Sequence, residues 1–192
     1  MSVLRKSPDI ALTLALLVLM TMTRSHLLKP VASFPNATLA VFFIAGIYLR
    51  EYFYPALLFL AAGLIDYVAI QNGVSGWCVT PAYIALVPAY LALWFGGRQF
   101  TSLEIGSVRA ALSLAGVLLA GSTVSFLISN GSFYLFSGYY NEPSLAEYAR
   151  RAIQYYPGYI SSAFLYVTLA AVARVAATAL TQAAHRLGSA RT

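Results

Sequence analysis

The strongest constraint on this chain is how little charge it carries over long stretches. Of 192 residues, 60% are hydrophobic and 9% charged, and the mean hydropathy is +0.74. Soluble domains carry about 25% charged residues. A composition this apolar cannot present a wettable surface, so the surrounding solvent must be a lipid bilayer. Crossing the hydrocarbon core takes about 20 apolar residues, within a range of about 17–25. Six apolar segments are visible, near residues 10–23, 35–49, 52–70, 79–95, 107–128 and 158–180. The prediction is an all-α integral membrane protein of six transmembrane helices in a single domain, 1–192. That leaves no room for a separate soluble catalytic domain. The first two segments are short and must draw in their polar flanks or sit in a thinned bilayer.

Basic residues set the orientation, because cytoplasmic loops carry the excess of Lys and Arg. With the N-terminus inside, Arg5, Lys6, Arg50, Arg98, Arg109, Arg174, Arg186 and Arg191 fall on the inner side. Arg24, Lys29, Arg150 and Arg151 fall on the outer side. This N-in/C-in arrangement puts both termini in the cytoplasm. Arg5 and Lys6 ahead of a short apolar run also resemble the start of a signal peptide. No small-x-small cleavage site follows Met22, so the first segment is read as a retained helix. The net charge of +6 reports orientation. Its scattered arginines form no groove-like cluster with aromatics, which argues against a nucleic-acid partner.

The inner connections are short and plain, whereas the outer ones hold His26, Trp77, Cys78, several tyrosines and Arg150-Arg151. Binding residues gather on loops held by a rigid scaffold, so a site on the outer face is expected. The connection 129–157 contains its own helix signal. Pro143 precedes a capping box, Ser144-Leu-Ala-Glu147. Leu145, Tyr148, Ala149, Ala152 and Ile153 then follow helical spacing. This predicts a short amphipathic helix in the outer loop between spans 5 and 6, either a lid over a pocket or an interfacial anchor.

Two residues stand out chemically. Asp66 lies inside the third segment, where a carboxylate is costly and usually faces a partner or a cavity. His26, Arg150 and Arg151 are its candidate partners. Cys78 is the only cysteine, in Gly73-Val-Ser-Gly-Trp-Cys-Val-Thr-Pro81. A lone thiol makes no internal disulfide and no structural zinc site. A buried cysteine is often just a small hydrophobe. At the mouth of an outer loop, its thiolate is instead a soft ligand for something brought from outside. A metal already held in an organic macrocycle would need only that one ligand. The tyrosines from Tyr134 to Tyr159 are either a headgroup-level belt or pocket walls.

Several enzyme classes fit poorly. Gly73-Val-Ser75-Gly76 matches the Gly-x-Ser-Gly pattern of rhomboid proteases, but those need a histidine within reach of the serine. His185 falls about a bilayer away, roughly 30 Å, and His26 precedes the second segment. A thiol oxidase needs cysteine pairs. No phosphate-cradling loop with Lys-Ser/Thr is present, so the chain has no ATP site. Too few ionisable residues lie in the spans for an obvious proton relay.

The size, the six spans, both termini inside and the loaded outer face resemble the substrate-binding S component of energy-coupling-factor (ECF) vitamin transporters. Pro35-Asn-Ala-Thr-Leu-Ala-Val-Phe-Phe-Ile-Ala-Gly-Ile-Tyr-Leu-Arg50 and Gly76-Trp-Cys-Val-Thr-Pro81 resemble the BtuM family, small and often solitary S components for cobalamin. The resemblance implies transport of cobalamin, with Cys78 as the axial ligand of the corrinoid cobalt and a promoter of cyanide loss from cyanocobalamin. It implies His26, Asp66, Tyr83 and Arg151 near the corrinoid. It also implies docking through Ala11 and Ala15 to an ECF transmembrane coupling protein with its ATPases. Arg150 or Arg151 could pair with the ligand's phosphodiester. The alternatives are an S component for another vitamin, which would not need Cys78, and a membrane enzyme that modifies corrinoids without transporting them.

Overall fold

In the computed structural model, the described residues are 7–24, 34–103 and 107–189, with side chains through 182. They form an all-helical bundle. The helices are α1 (Ser7–Arg24), α2 (Thr38–Tyr48), α3 (Phe53–Gln71), α4 (Leu86–Gly97), α5 (Val108–Phe136) and α6 (Leu145–Ser189). Two 3-10 turns, Gly76–Cys78 and Pro81–Ala85, lie between α3 and α4. Three stretches, Phe53–Gln71, Val108–Phe136 and Leu145–Gln182, are long and apolar enough to cross a membrane. Thr38–Tyr48 and Pro81–Gly97 are shorter apolar helices. This is the make-up of a multi-pass membrane protein.

The core is built around α2, whose residues Thr38 to Ile47 are all buried. At 11 residues it is only about 17 Å long, shorter than a bilayer core. Lipid tails are as apolar as leucine, so helices inside a bilayer associate by close packing, not by leaving water. Glycine makes that packing between α2 and α4. A Cβ on Gly46 would land on the Trp94 carbonyl, and one on Gly97 would land on the Phe43 carbonyl. Each helix therefore offers a glycine where the other's backbone crosses. Trp94 is fully buried beside this crossing and donates its indole N–H to Leu49 O at 3.2 Å. Phe42, Phe59 and Tyr90 add a ring cluster, with centroids 4.9–5.7 Å apart, that joins α2, α3 and α4.

Three bonds tie down the described backbone just before and at the start of α2. Thr23 Oγ1 accepts from Ala37 N at 3.1 Å, Asn36 Oδ1 accepts from Thr38 N at 2.9 Å, and Pro35 O accepts from the Tyr166 hydroxyl at 2.7 Å.

One predicted element is corrected. Residues 129–157 are not a long connection carrying a separate amphipathic helix. α5 runs on to Phe136, and α6 starts at Leu145 and continues without a break through Pro157. The capping signal marks a real start, because Ser144 Oγ accepts from Glu147 N at 3.3 Å. Pro157 removes one intrahelical donor and crowds the preceding turn. Hydroxyl contacts to α5 hold the helix on either side of it. Tyr156 OH lies 2.7 Å from Thr123 Oγ1, and Tyr159 OH lies 2.8 Å from Ser125 Oγ.

Candidate functional site: a polar-floored cavity at one end of the bundle

The ends of α1, α3 and α5 meet the start of α2 and the two 3-10 turns around a cavity of about 350 Å³. Its wall includes Arg24, Asn36, Asp66, Cys78, Tyr83 and Phe133. Its floor is a connected polar network. Arg24 grips Asp66 with two parallel bonds, Nε to Oδ1 at 2.6 Å and Nη2 to Oδ2 at 2.7 Å. Such a fork is the strongest geometry an arginine and a carboxylate can adopt. Arg24 Nη1 also donates to Thr38 Oγ1 at 3.2 Å and to Tyr90 OH at 3.1 Å. Tyr83 OH donates to Asp66 Oδ2 at 2.6 Å. Thr38 Oγ1 passes the chain on to Asn36 Oδ1 at 2.6 Å. Arg24 is only 8% exposed, so its charge is compensated by this network and not by water.

Cys78 sits above the floor on the first 3-10 turn, as an exposed free thiol. The loop is shaped by Gly73, whose φ of +90° suits a residue without a Cβ, and by Pro81, which opens the second turn. Ser75 Oγ accepts from Trp77 N at 3.4 Å. Trp77 stacks on Tyr139 at 4.8 Å and meets Phe133 at 5.0 Å, and Tyr139 OH donates to Trp77 O at 3.3 Å. The cysteine loop is thereby latched to the α5–α6 connection. Partial burial in the cavity wall pushes the Cys78 thiol above its ordinary range, the Asp66 carboxylate adds to that rise, and Arg24 opposes it.

Asp66, Cys78 and Tyr83 therefore share one cavity. Arg150 and Arg151 do not line it. Both pair with Glu147, at 2.8 and 2.7 Å, and Arg151 also lies over the Tyr140 ring at 4.7 Å. They are not the partners of Asp66, which is Arg24. The i,i+3 and i,i+4 spacing from Glu147 brings them to that carboxylate first. Ala11 and Ala15 lie on α1. His26, Arg5, Lys6, Lys29 and Arg191 lie outside the described residues, and the side chains of His185 and Arg186 lie outside them too. Sequence reasoning missed Arg24, Thr38 and Tyr90. The rule that a carboxylate in a span seeks a cation applies equally to Arg24 at the end of an apolar segment, which belonged among the candidates.

Among the described residues no group of three or more His, Cys, Asp or Glu side chains could hold a bare metal ion. What the cavity offers is one thiol, one carboxylate–guanidinium pair, phenol and amide groups, and an aromatic rim. No protein-family model matches this sequence, and a comparison with curated proteins finds no match.

Proposed function

We propose that this chain is a cobalamin-binding S component that captures the corrinoid on the outer face of a bacterial inner membrane and passes it inward. In this reading it is a six-span, N-in/C-in bundle, and α1 with Ala11 and Ala15 is the face that would meet an ECF coupling protein. The observation that carries the reading is that the sole thiol lines the same cavity as Asp66 and Tyr83. A corrin fills four positions of its cobalt and leaves two axial ones, so a single soft protein ligand completes the site. Ligand pockets run to about 300–1,000 Å³. At about 350 Å³ the cavity takes only one face of so large a ligand, which fits axial attachment at Cys78 with the rest of the corrin in the mouth. Phe133 and the Trp77–Tyr139 stack offer apolar wall to the rim of the ring, and Asn36, Ser129 and Asn130 offer partners to its amide arms.

The phosphodiester assignment to Arg150 or Arg151 needs the arginine concerned to turn from Glu147. Unchanged cobalamin affinity in Arg150→Gln and Arg151→Gln would remove it. Uptake tests the function as a whole. Cells whose other cobalamin uptake routes are deleted should accumulate labelled cobalamin when they express the protein. Cys78→Ala should abolish that uptake. Equal accumulation with and without the thiol would remove Cys78 as the ligand, and no accumulation above that of cells without the protein would point to another vitamin.

A further inference from the structure

Arg50 and Arg98 share a corner at the end of the bundle away from the cavity. Arg50 donates from Nη2 to Arg98 O at 2.7 Å and from Nη1 to Phe100 O at 3.5 Å. The Arg98 guanidinium lies 4.6 Å from the centroid of the Trp94 ring and 5.1 Å from that of Tyr52. Bonds to carbonyls and ring faces orient a guanidinium without cancelling its charge. The cavity end is different. Arg24, Arg150 and Arg151 there each have a carboxylate. Among the described residues neither Arg50 nor Arg98 forms an ion pair, and neighbouring Glu51 pairs with neither. The C-termini of α2 and α4 lie at this corner, each worth roughly half a negative charge. Exposed Glu51 adds a further negative charge beside them, so what the corner offers an anion is two oriented guanidiniums outside any described ion pair and not a net charge surplus.

We propose that Arg50 and Arg98 form a binding site for the phosphate of an anionic phospholipid headgroup. An arginine fork matches phosphate oxygens in a bidentate way that a lysine does not. The depth also fits. Tyr52 and Phe53 are large exposed rings beside the pair, as expected where headgroups meet acyl chains. Packing against Trp94 and Tyr52 fixes Arg98 in advance, so binding loses little side-chain freedom. The proposal does not depend on what fills the cavity.

The test uses the full chain in nanodiscs of phosphatidylcholine with and without phosphatidylglycerol. Retained lipid is read by native mass spectrometry, and the thermal midpoint is read in parallel. Wild type should retain phosphatidylglycerol over phosphatidylcholine and melt higher in its presence. Arg50→Gln and Arg98→Gln should each lower that preference by roughly fivefold, the worth of one cation at an anionic surface. Their midpoints in pure phosphatidylcholine should stay near wild type. Arg50 is exposed and bonds only to carbonyls, so its variant keeps the test open if Arg98→Gln does not purify. An undiminished preference in the Gln variants overturns the proposal. So does an equal shift from free inorganic phosphate, which would make this a soluble-anion site.

Discussion

Arg24 and Asp66 show how much a single pair can matter in a bundle this apolar. Breaking a buried ion pair from one side strands the other charge and costs about 3–5 kcal/mol. Arg24→Ala is therefore expected to lower the thermal midpoint strongly, with Asp66→Ala close behind. Arg150→Ala, at a side chain 67% exposed and screened by solvent, should leave the midpoint near wild type. Equal losses for Arg24→Ala and Arg150→Ala would contradict the network. The Cys78 thiol makes a second prediction. Burial and then Asp66 hold its pKa up, so coordination must expel its proton. Corrinoid affinity should then rise about tenfold per pH unit until pH reaches the thiol pKa, and flatten above it. Asp66→Asn should move the flat region to lower pH. A titration series showing affinity independent of pH between 6 and 9 would exclude the thiolate as ligand. At this scale the sequence showed which residues were unusual but not how they connect. A lone cysteine and an intramembrane aspartate announce themselves. Arg24 read as a plain loop charge, although it was as eligible a partner for Asp66, 42 positions away, as the arginines that were named for it.

The helices carry their own test at the α2–α4 crossing. Gly97→Val or Gly46→Val would drive side-chain atoms into the opposing backbone, and overpacking of this kind costs about 1–3 kcal/mol or more. Both variants should purify poorly or melt early, whereas Gly63→Val, with open space around it, should behave like wild type. Matching melting curves for all three would refute the close crossing. The positions of the apolar helices were legible because composition alone separates lipid-compatible runs from polar joints. The extent of α5 and α6 was not. Pro157 and the tyrosine-rich stretch around it look like loop in sequence. Only the hydroxyl contacts of Tyr156 and Tyr159 to α5 explain why the helix continues through the proline. Likewise the apolar segment 35–49 was legible, but not that its helix is only the 11 residues Thr38–Tyr48 and is buried along almost its whole length.

Across the whole molecule the alternation of helices puts the cavity at one end and the Arg50–Arg98 corner at the other. In the proposed N-in/C-in orientation the cavity faces outward. Since Cys78 is the only thiol and is exposed, a membrane-impermeant maleimide should label intact cells, and bound corrinoid should block the labelling. Labelling seen only after lysis would invert the topology. The most direct measurement of the central claim is an absorption spectrum. Wild type and Cys78→Ala are purified in detergent from cells fed cyanocobalamin, and the visible region is recorded. Shifted corrin bands in wild type, absent or unshifted in the variant, are expected if Cys78 ligates the cobalt. A colourless wild-type protein, or identical bands in both, would contradict it.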